Sequence, residues 1–115
     1  MKIRDLVPQA PISAASSETL RAAATRLIED EVGALLIYGS HGPVGIFSER
    51  DLARAIADDA DLDAVQIKDY MTDAPLAVDQ DDKITIGISK MNEYGVRHLM
   101  VTEGGDAIGV VSMRD

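Results

Sequence analysis

Cysteine and tryptophan are missing from this 115-residue chain, and phenylalanine occurs once, as Phe47, beside three tyrosines. Without thiols there is no disulfide, no cysteine nucleophile and no thiolate metal site. With so few rings the core must be assembled from Ile, Leu, Val, Ala and Met, and almost half of the residues are hydrophobic. Positive charge is also scarce: 11 Lys and Arg stand against 20 Asp and Glu, a formal net charge of −9. That balance opposes nonspecific nucleic-acid binding, which needs excess cations to neutralise phosphates. It still allows a small anion held by local dipoles. No apolar run approaches the roughly 20 residues of a membrane span, and no apolar core of a secretory signal follows Met1-Lys2-Ile3-Arg4-Asp5. Only His41 and His98 offer imidazole bases, and no serine has a context that suggests activation. The expectation is a cytoplasmic, non-enzymatic chain the size of one compact domain, or of two half-domains sharing a core.

What the chain does have is a repeat. Gly45-Ile46-Phe47-Ser48-Glu49-Arg50-Asp51 returns as Gly109-Val110-Val111-Ser112-Met113-Arg114-Asp115, a shift of 109 − 45 = 64 positions. The offset holds without a gap back to the N-terminus, where Ile3 falls on Ile67, Leu20 on Ile84, Val32 on Val96 and Leu35 on Leu99. A repeat of this kind is one supersecondary unit that buries its apolar face against a twin. We place the first copy at residues 1–60 and the second at 61–115.

Local patterns give each copy the same elements. Pro11-Ile12-Ser13-Ala14 reads as a short strand, and Ser16 or Ser17 as the N-cap of a helix. Leu20, Ala23, Ala24, Leu27 and Ile28 then form one apolar helix face. Ala34–Tyr38 is a buried strand, residues 39–43 a tight turn, Val44–Phe47 the return strand, and a helix runs from Ser48 to about Asp58. After an acidic linker at 58–63, a short helix at Ile67–Met71, a strand at Leu76–Val78 and a helix at Lys83–Tyr94 with Ile84, Ile88 and Met91 buried replay the order. The His98–Thr102 and Ala107–Val111 strands follow, and the sequence stops at Asp115, before the final helix of the repeat. The fold class expected is α+β: two β-α-β-β-α repeats related by a pseudo-two-fold, with two small sheets packed together and flanking helices.

The duplicated Gly-x-x-Ser-x-x-Asp sits at a strand-to-helix junction. Glycine permits close approach of a ligand or a backbone. Serine falls at the helix N-cap, where free N–H groups and the helix dipole suit a phosphate. Aspartate one turn in offers acceptors for the two hydroxyls of a ribose. The same spacing also makes a capping box, which only stabilises a helix; two copies at one offset favour binding, and the roles can coexist. Arg97 and His98 begin a strand after a helix and could donate to a phosphate, whereas Gly33 and Ala34 stand at those positions in the first copy. The two sites are therefore unequal, and the one lined by Arg97 and His98 should hold a charged phosphate more tightly.

In these residues the chain resembles a tandem pair of CBS domains, also called a Bateman module, over essentially its whole length. The resemblance rests on Asp69-Tyr70-Met71-Thr72, Pro75-Leu76-Ala77-Val78, Val96-Arg97-His98-Leu99-Met100-Val101 and Gly109–Asp115 taken in order. It implies two clefts between the repeats for adenosine-containing ligands, AMP, ADP, ATP or S-adenosylmethionine. By position, Ser112 would meet phosphate and Asp115 ribose in one cleft, with adenine against Ala10, Pro11, Ile12, Val32, Gly33 and Ala34. Ser48 and Asp51 would do so in the other, opposite Thr72, Ala74, Leu76, Val96, Arg97 and His98. Ile46 and Val110 would pack on the base, and Arg50 and Arg114 would add positive potential. Leu36 and Met100 stand where many members carry proline. The resemblance further implies a homodimer formed through the long helices, where Ala22-Ala23-Ala24 and Gly87 permit close contact.

The function expected is a regulatory ligand-sensing module for adenine nucleotides with no obligatory cofactor and no metal, acting on a regulated partner protein or a fused domain. The alternatives are a structural dimerisation module with no ligand, or binding of S-adenosylmethionine or NAD. Asp59, Asp61 and Asp63 have the spacing of a calcium-loop start, but Ala64 replaces the loop glycine and Tyr70 the closing glutamate; a solvated linker is expected there. Asp79, Asp81 and Asp82 are expected at an exposed helix start.

Overall fold

A computed structural model describes residues 1–7, 12–73 and 75–112 of the chain. Its contacts form two compact units, Ile12–Ala74 and Met1–Pro11 with Pro75–Asp115. In the first unit the order is β1 (Ser13–Ala15), α1 (Leu20–Glu29), β2 (Ala34–Gly39), β3 (Gly42–Ser48), α2 (Glu49–Ala57), a 3-10 helix at Ile67–Asp69 and β4 (Thr72–Asp73). The second unit holds a 3-10 helix at Ile3–Leu6, then β5 (Ala77–Asp79), α3 (Ile84–Tyr94), β6 (His98–Glu103) and β7 (Asp106–Ser112). This is the α+β class expected, with two small mixed sheets ordered β1-β2-β3-β4 and β5-β6-β7.

The 64-residue shift reappears as geometry. β1 runs parallel to β2, and β2 antiparallel to β3, with Ser13 opposite Leu36 and Leu36 opposite Ile46. In the second unit Ala77 lies opposite Met100, and Met100 opposite Val110. Even the irregularity is copied, between Ile37 and Tyr38 and again between Val101 and Thr102. The second hairpin turns on Gly104-Gly105, with φ of 58° and 91°, the consecutive positive angles that match the twist of a two-residue hairpin.

Strand alternation separates the two faces of each sheet. Leu35, Ile37 and Phe47, all 0 % exposed, join Leu20, Ala23, Leu27 and Ala55 in the first core. Leu36 and Ile46 point the other way and are also buried. Leu99, Val101 and Val111 share the second core with Val78 and Met91.

Each core is completed by a segment from the other copy of the repeat. Ile3 is wholly buried in the second core, and Ile67 in the first. The docking bonds obey the same offset. Ile3 N donates to Asp82 O at 2.9 Å and Arg4 N to Gln80 O at 2.9 Å, while Ile67 N donates to Glu18 O at 2.8 Å and Lys68 N to Ser16 O at 3.0 Å. The linear repeat and the compact unit are therefore different divisions of the chain.

Several local expectations are corrected. The N-cap of α1 is Thr19, whose Oγ1 accepts from Ala22 N at 3.2 Å, rather than Ser16 or Ser17. Ser16 and Ser17 instead occupy the turn after β1. Ile28 and Ile88, assigned to buried faces, are 79 % and 43 % exposed, because short helices over short strands bury only a narrow stripe. Gly87 and Met91 are the buried residues of α3. Asp79–Asp82 form a turn before α3: Asp79 Oδ1 accepts from Asp81 N at 2.8 Å and Asp82 Oδ2 from Asp79 N at 3.1 Å.

Candidate functional site

The motif glycine serves the fold. A Cβ on Gly45 would meet the Thr72 carbonyl oxygen first, then Thr72 C at 3.3 Å and Met71 Sδ at 3.4 Å. Gly45 and Ile46 pair with Asp73 and Thr72, so the missing side chain lets β4 close onto β3. Gly109 is also closely approached, but by a side chain, a Cβ there lying 2.7 Å from Val7 Cγ1.

Ser48 is the N-cap of α2, and the pair with Asp51 is reciprocal. Ser48 Oγ accepts from Asp51 N at 3.3 Å, and Asp51 Oδ2 accepts from Ser48 N at 2.8 Å and Ser48 Oγ at 3.1 Å. The capping role is thus real and engages the carboxylate. Asp51 is only 3 % exposed. Its other oxygen, Oδ1, takes a hydrogen bond from Arg54 Nη2, one helical turn on, and Arg54 also donates to Tyr70 O at 3.4 Å. Tyr70 OH donates to Asp58 Oδ2 at 2.9 Å, and that acceptor raises the phenol's pKa.

Around this cap the first unit gathers Gly33 and Ala34: Ala34 pairs with Ser48, and Glu49 N donates to Gly33 O at 3.0 Å. Val32 N closes the end of α1 on Leu27 O at 3.1 Å. Ser13, Leu36, Ile46 and Thr72 form one row across the sheet, while Ile12, whose carbonyl oxygen accepts from Leu36 N at 3.0 Å, packs against the first core. In the second unit Ala77, Met100 and Val110 repeat that row, Leu76 packs against the second core, and His98 pairs with Ser112 across β6 and β7. Val96 N donates to Met91 O at 3.1 Å after the left-handed Gly95 cap of α3. Arg97 is exposed and His98 half-buried. Ala10, Pro11, Ala74, Arg114 and Asp115 lie outside the described residues.

Sequence reasoning missed three cations. Arg54 follows the motif aspartate by one turn, a helical spacing that was legible. Arg26 Nη1 donates to Ser13 O, and Lys90 Nζ to Ala77 O, each at 2.6 Å. Arg26 and Lys90 are 64 positions apart, as are Ser13 and Ala77. In both units a helix cation satisfies an outer strand's free carbonyl, which blunts an exposed edge.

A strand-cap-helix junction at Ser48, rows of residues repeated across two small sheets and exchanged opening segments define a duplicated α+β module. The chain belongs to the CBS domain family, which it matches twice, over residues 3–58 and 67–115. It is 34 % identical over 99 residues to an uncharacterized 17.7 kDa protein of Acidianus ambivalens, covering 84 % of this chain and 59 % of that one. It spans 31 % and 22 % of the next two curated relatives. The CBS domain protein PAE2072 from Pyrobaculum aerophilum, solved complexed with AMP, superposes with a TM-score of 0.89 at 29 % identity, over 99 % of this chain and 88 % of that one. The CBS domain pair of protein MJ0100, solved with 5'-methylthioadenosine and S-adenosyl-L-methionine, gives 0.86 at 26 % identity, over 97 % and 92 %. Among the described residues no helix is long and apolar enough to cross a membrane.

Proposed function

We propose that this chain is a regulatory module that binds an adenine nucleotide and performs no chemistry of its own. The observation that carries the reading is the AMP complex of the Pyrobaculum protein, which matches this chain over nearly its full length. Ser48 and Ser112 are assigned to phosphate, Asp51 and Asp115 to ribose hydroxyls, and Ile12, Ile46, Leu76 and Val110 to the base. Arg97 and His98 are assigned to the phosphate tail. Ligand binding favours one arrangement of the module, which a partner protein or fused domain reads. A cytoplasmic homodimer is the form proposed.

A second reading, an adenosyl-sulfur ligand, is favoured by the MJ0100 pair. One screen separates the two. Thermal unfolding is followed with AMP, ADP, ATP, S-adenosylmethionine, 5'-methylthioadenosine and NAD. A ligand at a hundredfold over its Kd adds about 2.7 kcal/mol of stability. No shift with any of the six would leave the non-binding dimerisation module as the answer. Arg97→Ala should weaken AMP, ADP and ATP while leaving adenosine unchanged, and equal effects on all four would refute the phosphate assignment.

A further inference from the structure

Asp51 has fewer free acceptor positions than a ribose needs. A carboxylate has about four lone-pair sites. Oδ2 already accepts from Ser48 N at 2.8 Å and from Ser48 Oγ at 3.1 Å, and Oδ1 accepts from Arg54 Nη2. With Oδ2 filled, a single site remains on Oδ1, enough for one hydroxyl and not for a vicinal diol. The partners differ in how easily they leave. The Ser48 bonds belong to the α2 cap, whose loss exposes the helix start. Arg54 is a side chain 58 % exposed, against 4 % for Asp51, and its bond to the Tyr70 carbonyl oxygen is long, at 3.4 Å, so it can swing into water without unmaking the helix start.

We propose that Arg54 is an intramolecular competitor for the ribose diol. It rests on Asp51 in the free protein, and the second ribose hydroxyl binds only when it withdraws. The inference depends on Asp51 as the ribose-holding group and goes beyond it by assigning Arg54 a role in selectivity. Arg54 is a positioning residue here: it sets how many hydroxyls Asp51 can receive.

The test uses the uncharged ligands adenosine and 2'-deoxyadenosine, so that phosphate contacts and bulk salt effects cancel in the ratio of their affinities. Calorimetry is run on the full chain carrying Asp115→Asn, which leaves the Asp51 site to report. Adding Arg54→Met should raise the adenosine to 2'-deoxyadenosine preference by about threefold to tenfold, the range one net hydrogen bond gives. A merely structural Arg54 would change both affinities alike; an unchanged or lower ratio overturns the proposal. Raising NaCl with Arg54 intact screens the Arg54–Asp51 pair and should increase the ratio without any substitution at Arg54, so a flat salt dependence also counts against the competitor. Asp51→Asn tests the underlying reading separately: it should collapse the preference, and a preference that survives removes Asp51 from the ribose site whatever Arg54 does.

Discussion

Replacing Gly45 by alanine, and separately Gly109, tests whether the repeated motif glycine answers to the fold. At Gly45 the added Cβ meets the backbone of Thr72, with Thr72 C at 3.3 Å and its carbonyl oxygen nearer still. That backbone is held by the pairing of β3 with β4 and cannot rotate away. At Gly109 the close neighbour is the tip of one side chain, Val7 Cγ1, which a change of rotamer can move. Overpacking costs about 1–3 kcal/mol, and alanine returns about 0.4–1 kcal/mol by restricting the unfolded chain. Neither glycine has a positive φ to add strain. The net expectation is a loss of about 1–2 kcal/mol for Gly45→Ala and close to 0–1 kcal/mol for Gly109→Ala. Urea unfolding followed by far-ultraviolet circular dichroism measures both; the absence of tryptophan rules out the usual fluorescence probe. A neutral Gly45→Ala, or a Gly109→Ala of equal or greater cost, refutes the close-approach argument.

Other consequences are as concrete. Phe47→Ala removes the largest wholly buried side chain among the described residues and should cost about 3–5 kcal/mol in the same assay. Ser48→Ala deletes the oxygen that caps Asp51 N and should cost about 1 kcal/mol. The exposed Arg21–Asp63 pair lowers the Asp63 pKa through a hydrogen bond from Arg21. Its contribution is present above the ordinary carboxylate range and is lost as pH falls through the depressed folded value, so the Tm difference between the parent chain and Asp63→Asn should vanish on acidification. Tyr70 is the opposite case: Asp58 raises its pKa, so that bond stabilises below the ordinary tyrosine range and is lost as pH rises through the folded value. Tyr70→Phe should remove a phenol that ionises above the ordinary tyrosine range in an ultraviolet titration.

The ungapped offset made both hairpins, both long helices and the strand-cap-helix junction at Ser48 legible in the sequence. What escaped was decided by contacts distant in sequence. Thr19 displaced Ser16 and Ser17 as N-cap because residues after β1 first complete a turn that receives Lys68 N. Ile28 and Ile88 fit a helical stripe, but no described strand reaches far enough to cover them. Asp51 was read as an acceptor awaiting ligand, and Arg54 shows that half of its capacity beyond the cap is taken. Adenosine selection was the least legible, since rows such as Ser13, Leu36, Ile46 and Thr72 show their chemistry only once aligned across a sheet.

The exchanged opening segments bear on how such a chain can be cut. A gene split within the acidic stretch would encode two halves, each carrying a piece its own core does not use and lacking the piece it does. Neither half should fold to completion alone, since Ile3 and Ile67 would each be parted from the core that buries it. Mixed together, the halves hold matching hooks, and their recovery of structure on mixing would be second order in concentration. Duplication here joined two units by making each incomplete, which ties their inheritance as firmly as their folding.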